Sequence, residues 1–329
     1  MAVENLHFRS ISYRGLASGP KLLILGAVHG NEVCGSLAIN RLIDELDSGQ
    51  LTISAGQLTL IPITNPLAYR KQQRMGDRNL NRNLSPTDAP VDFEDRIANW
   101  LCPILAQHEI LLDLHSFHTG GQPFAMLGPL DNEGSLEPFS QARQEEAMAL
   151  RLGVTRFVDG WLDTYAAGVA RRVARLGNNG TSTTLDSRAT LLNTDPRYGV
   201  GTTEYMRSQG GMAITLECGQ HADPQSPQVA YRAIQNTLAH FGLIQAPAPP
   251  AVTGTEALSL YEVIDKDHPA DTFARAWASF DAIKTGDLIG TRHTGQTLVA
   301  QQDGYIVFPN PKAEAGQEWF YLARASHRL

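Results

Sequence analysis

Three apolar runs in this sequence end at histidine or glutamate side chains, and this pattern constrains the fold more than any other feature. Leu22 to Ala27 is followed by His29 and Glu32, Ile110 to Leu114 by His115, and Ile214 to Leu216 by Glu217. In an open α/β sheet, ligands gather beyond the carboxyl ends of the strands, so residues that are far apart in sequence can meet there. The three run ends therefore predict one polar site at the edge of an α/β sheet.

The residue types at this predicted site are those of a catalytic zinc centre. Zinc in hydrolases takes three nitrogen or oxygen ligands, here His29, Glu32 and His115, and leaves a fourth position for water. Glu217 then remains as a separate carboxylate that handles the proton of that water. The His-x-x-Glu spacing alone is weak evidence, because a surface histidine beside a glutamate in the first turn of a helix gives the same pattern. The helix dipole favours a carboxylate in the first turn and could by itself explain Glu32. It does not explain His115 and Glu217 at the ends of two other apolar runs.

Alternating strand-like and helical segments predict a mixed or largely parallel sheet covered by helices. Apolar residues from Ile39 to Leu46 repeat at helical spacing, with Asn31 available as N-cap and Gly49 as terminator. Further segments are a strand over Leu58–Ile63 and helices over Phe93–Leu105 and Val229–Phe241. In the first of these two helices, one face is expected to carry Ile97, Trp100, Leu101 and Ile104.

A proline-rich segment divides the chain. Residues 246–251 read Ala-Pro-Ala-Pro-Pro-Ala and cannot continue the preceding helix, so they are expected to form an extended linker. Beyond them, glycines separate short β-prone runs, which predicts a small β-rich unit. We therefore expect a catalytic domain over residues 1–245 and a β-rich domain over residues 252–329.

Charge and cysteine content narrow the class of protein. The 329 residues carry a net charge of -7 and contain no run of Lys or Arg, so neither nucleic acid nor an anionic membrane is an expected partner. No segment approaches the length of about 20 apolar residues that a membrane span needs. Three dispersed cysteines in apolar surroundings indicate buried thiols in a reducing, cytoplasmic compartment. The sequence leaves the oligomeric state open, including a homo-oligomer.

The segment from Arg74 to Arg82 is dense in guanidinium and amide donors. Arg82, with Asn81 beside it, can grip a substrate carboxylate with two parallel hydrogen bonds. Arg74 can face the oxyanion of a tetrahedral intermediate. The alternative interpretation of this segment by itself is a solvated polar loop.

Taken together, these residues resemble the succinylglutamate desuccinylase/aspartoacylase family, a branch of the zinc carboxypeptidase superfamily, over nearly the whole chain. The matching motifs are His29-x-x-Glu32, Arg74 seven residues before Asn81-Arg82, Asp113-Leu114-His115, and Glu217-Cys218-Gly219. The resemblance implies a zinc-carboxypeptidase-like mixed sheet flanked by helices, with a small C-terminal β-rich domain that narrows the active-site channel. It also implies one zinc ion per chain and hydrolysis of the N-acyl amide bond of a small acylated amino acid.

Three details of the resemblance concern particular residues. Arg207 matches the arginine that aspartoacylases place ten residues before the catalytic glutamate, which implies a role in substrate binding. Asn79 stands where those enzymes have an aspartate behind a zinc-bound histidine, and its amide oxygen can serve as the acceptor instead. A tyrosine that aspartoacylases contribute from the C-terminal domain has no evident counterpart in the sequence.

Two other functions fit the same residues. A zinc carboxypeptidase or peptide amidase would use the same groups on longer substrates. A zinc-stabilised binding domain without turnover would close the metal coordination with His118 or His221. A structural zinc ion needs neither Arg74 nor Glu217, so the sequence favours the deacylase.

Overall fold

The computed structural model describes residues 6–178 and 188–329. Its central element is a mixed sheet of eleven strands. The strands described are β1 Ile11–Arg14, β2 Ala17–Gly26, β3 Ala55–Ile61, β4 Ile110–Phe117, β5 Phe124–Met126, β6 Arg156–Asp159, β7 Met212–Gln220, β8 Glu256–Asp265, β9 Thr272–Phe273, β10 Asp281–Ile283, β11 Leu288–Thr291, β12 Thr297–Val299, β13 Gly304–Val307 and β14 Glu318–Ala325. The large sheet has the order β1-β3-β2-β4-β7-β5-β6-β8-β14-β13-β10, and β12-β11-β9 form a second sheet.

Helices cover both faces of the sheet. They are α1 Cys34–Asp47, α2 Pro66–Lys71, α3 Phe93–Leu105, α4 Ala142–Ala149, α5 Trp161–Asn178, α6 Arg188–Asn193, α7 Thr202–Ser208 and α8 Ser226–His240. One hydrophobic cluster joins α1 and α8 to one face of the central strands, and a second joins α3 and α7 to the other face. This arrangement confirms the predicted α/β class, a mixed sheet flanked by helices with further β structure at the C-terminus.

Four central strands, β3, β2, β4 and β7, run parallel to one another. β4 and β7 are buried on both faces over nearly their whole length, which is why the sequence shows unbroken apolar runs there instead of alternation. In the register of β4 and β7, His115 lies opposite Glu217. The parallel register therefore brings two of the predicted site residues to neighbouring positions.

Several element boundaries differ from the sequence prediction. β4 and β7 continue past the end of their apolar runs, so His115 and Glu217 lie inside strands, near their carboxyl ends. Helix α1 begins at Cys34 with Val33 as N-cap, so Asn31 is not the cap and Glu32 precedes the first helical turn. The predicted terminator Gly49 does follow α1, in the left-handed conformation that glycine favours.

The buried face of α3 is narrower than the apolar spacing suggested. Ile97 and Leu101 are buried, whereas Trp100 is 67% exposed. Helix α3 contacts α7 and a single face of the sheet, so a side chain turned away from both meets solvent. The prediction that Trp100 shares the buried face was therefore wrong.

The C-terminal portion is rich in strands, and four of these strands extend the large sheet. Residues 246–251 form neither helix nor strand, as expected of a linker. After them β8 pairs in parallel with β6, and β14, β13 and β10 add to β8 in antiparallel order. The division into domains 1–245 and 252–329 stays a prediction, because one continuous sheet crosses that boundary.

Within the described part of the chain, none of the helices combines the length and the apolar character needed to cross a membrane.

Candidate metal centre and active-site pocket

A buried group of two histidines and one glutamate lies where β2 and β4 end. Nδ1 of His29 is 2.8 Å from Oε1 of Glu32, and Nδ1 of His115 is 2.8 Å from Oε2 of the same carboxylate. One donor atom from each of the three residues lies within 4.8 Å of the others. The structure thus brings together the three residues that the sequence predicted as metal ligands.

Tight packing fixes the turn that carries His29 and Glu32. A Cβ atom on Gly30 would lie 1.9 Å from the carbonyl carbon of Ala68, which belongs to α2. Glycine is therefore required here because α2 approaches closely. The backbone N–H of Glu32 donates to the carbonyl of His29 at 3.1 Å, which closes the turn.

The outward nitrogen of each histidine has an acceptor behind it. Nε2 of His29 is 3.0 Å from Oδ1 of Asn79, and Nε2 of His115 is 3.0 Å from Oδ2 of Asp113. Such acceptors hold the proton on the outward nitrogen and leave the inward nitrogen free to bind a metal ion. The donor set, two imidazole nitrogens and a carboxylate, fits a catalytic zinc ion. Asn79 makes the contact that was expected of its amide oxygen.

Burial and the neighbouring charges set the protonation of this group. Burial, reinforced by Arg74, lowers the pKa of His29 to about 4. Burial acts to raise the pKa of Glu32, but His29 and His115 outweigh it and hold that pKa well below the usual value. For His115, burial is outweighed by Asp113 and Glu32, so the pKa stands well above its ordinary value. His29 is therefore neutral and Glu32 ionised at neutral pH, which are their metal-binding forms.

Glu217 faces the same site from β7. Its side chain is 6% exposed, and its Oε2 atom has no hydrogen-bond partner within the described residues. Burial, followed by repulsion from Glu32, raises its pKa to about 8. An unpaired, desolvated carboxyl group of this kind is costly in a core, and it is typical of a catalytic acid or base.

Arg74 contacts the metal group from the segment that follows α2. Its Nη1 atom donates to Oε1 of Glu32 at 3.0 Å and is 3.3 Å from Nδ1 of His29. The Arg74 side chain is 51% exposed, so a bound molecule can reach its guanidinium.

Arg82 and Asn81 lie further along the pocket wall. The guanidinium of Arg82 donates to the hydroxyl of Tyr165 at 2.8 Å and stacks over that ring at 4.3 Å. Its Nε atom has no hydrogen bond within the described residues and lies 3.9 Å from Oε1 of Glu318. Oδ1 of Asn81 accepts the backbone N–H of Thr202 at 2.8 Å, so the amide NH2 group of Asn81 is the part left for a ligand.

Arg207 is not brought into this pocket. Its guanidinium is 3% exposed and donates to Glu145 at 2.7 Å and to Glu137 at 2.6 Å. It also donates to the backbone carbonyl of Ala213 on β7. These buried contacts use the donors that a substrate carboxylate would need, and they tie α7 to α4. The sequence-based expectation that Arg207 binds substrate is therefore not supported by its position.

The pocket itself has a volume of about 140 Å³ and joins the metal group to Asn81 and Arg82. Its far wall contains residues that sequence reasoning missed, from α5 and from the C-terminal strands: Trp161, Tyr165, Phe308, Asn310, Glu318 and Tyr321. Apart from Phe308, which follows β13, none of them directly follows an apolar run. Tyr321 reaches the pocket through the pairing of β14 with β8, which no local sequence pattern indicates.

His118 and His221 line the pocket without joining the metal group. Nε2 of His118 lies 3.0 Å from the carbonyl of Pro309, in the loop between β13 and β14. Nδ1 of His221 lies 2.8 Å from the hydroxyl of Ser116. Both rings thus contact other groups of the protein and not the three proposed metal ligands.

Comparison with protein families and with characterised proteins gives a consistent result. A model of the succinylglutamate desuccinylase/aspartoacylase catalytic domain matches residues 18–127. N-alpha-acetyl-L-2,4-diaminobutyric acid deacetylase of Halomonas elongata is 25% identical over 244 residues, which cover 71% of this chain and 59% of that protein. Succinylglutamate desuccinylase of Pseudomonas paraeruginosa is 25% identical over 315 residues, covering 91% of this chain and 82% of the relative.

Solved structures share the fold. A succinylglutamate desuccinylase/aspartoacylase from Rhodobacter sphaeroides superimposes with a TM-score of 0.71 at 18% identity, covering 98% of this chain and 90% of that one. The product-bound ectoine utilization protein EutE (DoeB) from Ruegeria pomeroyi gives a TM-score of 0.67 at 18% identity, covering 96% and 88%. At these identities the similarity establishes the fold alone.

Proposed function

We propose that this chain is a member of the succinylglutamate desuccinylase/aspartoacylase family, whose catalytic-domain model matches residues 18–127, and that it is a zinc-dependent hydrolase that cleaves the N-acyl amide bond of a small acylated amino acid. Its relatives are named for the removal of acetyl and succinyl groups from amino acids. The observation that carries the proposal is the unpaired carboxyl group of Glu217 beside the buried group of His29, Glu32 and His115.

We assign His29, Glu32 and His115 to a single zinc ion. The ion would supply a Lewis acid that lowers the pKa of water and polarises the acyl carbonyl. The support for this assignment is the donor set, together with Asn79 and Asp113, which hold the two imidazoles in the required tautomer.

Glu217 acts as general base and then as general acid. Its carboxylate takes a proton from the attacking water, and the same proton is delivered to the nitrogen of the departing amine. Its pKa, raised by burial and by Glu32, is suited to both steps, because such a group holds and releases a proton near neutral pH.

Two arginines divide the recognition of the substrate. Arg82, with the amide of Asn81, binds the carboxylate of the amino acid, because a guanidinium makes two parallel hydrogen bonds to a planar anion. Arg74 lies next to Glu32 and is half-exposed, so it can reach the oxygen of the scissile carbonyl as negative charge develops there.

The small volume of the pocket favours a small substrate over a peptide. Phe308 and Tyr321 line it together with His29 and His115, and its volume is about 140 Å³. A carboxypeptidase or peptide amidase would need room for a longer chain.

A hydrolysis screen with measured zinc content tests the proposal. Acetyl, formyl and succinyl amino acids are compared with short peptides and with the same acyl amino acids blocked at the carboxylate. We expect turnover of free acyl amino acids by protein with one zinc per chain, and loss of turnover on chelation. Preference for peptides or for blocked acids would favour the amidase, and a zinc-loaded protein without turnover would favour a binding domain.

A further inference from the structure

Thr202 connects the substrate-binding loop to one of the proposed metal ligands. It is the first residue of α7 and is fully buried. Its backbone N–H donates to Oδ1 of Asn81 at 2.8 Å, and its hydroxyl donates to Oδ2 of Asp113 at 2.5 Å. A single residue thus contacts both the loop beside Arg82 and the carboxylate behind His115.

The carboxylate of Asp113 has few other partners. It is fully buried, its Oδ2 atom lies 3.0 Å from Nε2 of His115, and its Oδ1 atom has no hydrogen bond within the described residues. The hydroxyl of Thr202 is therefore one of the few groups that fix the orientation of this carboxylate. Removal of a donor from a buried carboxylate is costly, because the carboxylate then lacks a partner for its charge.

The position of Thr202 is itself fixed. A Cβ atom on Gly201 would lie 2.1 Å from Oδ1 of Asn81, so the start of α7 packs directly against that side chain. Asn79, two residues before Asn81, contacts Nε2 of His29 through its amide oxygen. One short segment, residues 79–81, therefore supports both histidines, His29 directly and His115 by way of Thr202 and Asp113.

We propose that Thr202 is a positioning residue for the metal centre: its hydroxyl holds Asp113, and through Asp113 it fixes the ring of His115. The inference rests on the proposed zinc site but not on the identity of the substrate. Groups that orient a metal-binding histidine typically change metal affinity about 10- to 100-fold when they are removed. Because Thr202 acts on one ligand, His115, we expect a loss of zinc affinity within this range.

The test is a zinc titration of the whole chain in competition with a chromophoric chelator. Thr202→Val removes the hydroxyl and keeps the branched shape, and Thr202→Ser keeps the hydroxyl. Thr237→Val is the matched control, because Thr237 is also helical and buried but donates to the carbonyl of Ala233 within α8. We expect Thr202→Val to raise the Kd for zinc about 10- to 100-fold, with Thr202→Ser and Thr237→Val close to wild type.

Kinetics at saturating zinc separate this role from a merely structural one. If Thr202 acts through His115, KM for the acyl amino acid changes little once zinc is restored. A raised KM with unchanged zinc affinity would overturn the proposal, since Thr202 would then act on Asn81 and its loop. Equal weakening by Thr237→Val would overturn it too. Should Thr202→Val not fold, Thr202→Ala must show the same loss of affinity. A wild-type chain that binds no zinc contradicts the proposed function itself.

Discussion

At the scale of single residues, the environment of Glu217 differs from that of an ordinary buried carboxyl group. A buried carboxyl group normally has hydrogen-bond partners, whereas Oε2 of Glu217 has none within the described residues. His115, which lies opposite Glu217 in the register, is by contrast hydrogen-bonded to Glu32 through Nδ1, and its Nε2 atom lies 3.0 Å from Oδ2 of Asp113. The pair therefore combines a fixed metal ligand with an unpaired base.

We predict that Glu217→Gln keeps one zinc ion per chain but loses most of its turnover. The amide preserves the shape of the side chain and removes its basicity, and general-base assistance is worth about 10² to 10⁴ in rate. The measurements are kcat and zinc content on the same preparation. His115→Ala is the contrasting variant and should lose the metal. Loss of zinc from Glu217→Gln would make Glu217 a ligand instead of a base.

We predict different kinetic effects for the two arginines of the pocket. Arg82→Ala removes a carboxylate contact that is present in both the bound substrate and the transition state, so it should chiefly raise KM. Arg74→Ala should lower kcat, by about 10² to 10³ if Arg74 is a principal donor to the oxyanion. Arg82→Lys should rescue only in part, because an ammonium cannot make the paired contact. Identical effects of both alanine variants would refute this division of roles.

At the scale of secondary structure elements, the site depends on how α7 is anchored. Arg207 on α7 reaches Glu145 on α4 and the backbone of β7, and all these groups are buried. The first residue of the same helix, Thr202, contacts Asp113 on β4. One short helix thus links the strands that carry His115 and Glu217.

We predict that Arg207→Met destabilises the fold without changing substrate recognition. It leaves the carboxylates of Glu145 and Glu137 buried without their cation, which costs about 3 to 5 kcal/mol. Urea unfolding measures this loss, and KM of the folded fraction should remain near wild type. Arg41→Met is the control, since the Arg41 to Glu45 pair is exposed and contributes little. A stable Arg207→Met protein with a raised KM would return Arg207 to the substrate site.

At the scale of the whole molecule, the pocket is completed only by the C-terminal strands. Phe308 and Tyr321 pack with Trp161 and Tyr165 in one hydrophobic cluster that spans both sides of the 246–251 linker. The carbonyl of Pro309 also lies against His118. The C-terminal segment therefore closes the site that the N-terminal segment builds.

We predict that Phe308→Ala widens the pocket and weakens discrimination against longer substrates. The ring lines the pocket and packs against Phe124 and Trp161, so its loss leaves space beside them. The measurement is kcat/KM for an acyl amino acid relative to an acyl dipeptide. Phe273→Ala, a partly buried phenylalanine of the second sheet, is the control for general destabilisation. An unchanged ratio would mean that the C-terminal strands do not limit substrate size.

Local patterns in the sequence were sufficient for the architecture and for most of the metal centre. Apolar runs and helical spacing depend only on neighbouring residues, so they located the central strands and α1, α3 and α8. Because parallel strands end at one edge, they also implied that His29, Glu32, His115 and Glu217 would meet. The predicted ends of β4 and β7 were three and four residues short, because both strands continue beyond their apolar runs and pair with each other there.

The tertiary structure alone decided which other side chains reach the pocket. Glu318 and Tyr321 arrive there because β8 pairs with β6 and β14 pairs with β8, and Tyr165 arrives because α5 packs on β8. Strand order of this kind is a long-range property that no local pattern encodes. The contacts of Arg207 are also long-range: its sequence position fits a substrate ligand, but its side chain pairs with two buried carboxylates, Glu137 and Glu145. Sequence therefore determined the elements and the chemistry at their ends, and packing between distant elements determined the shape of the pocket.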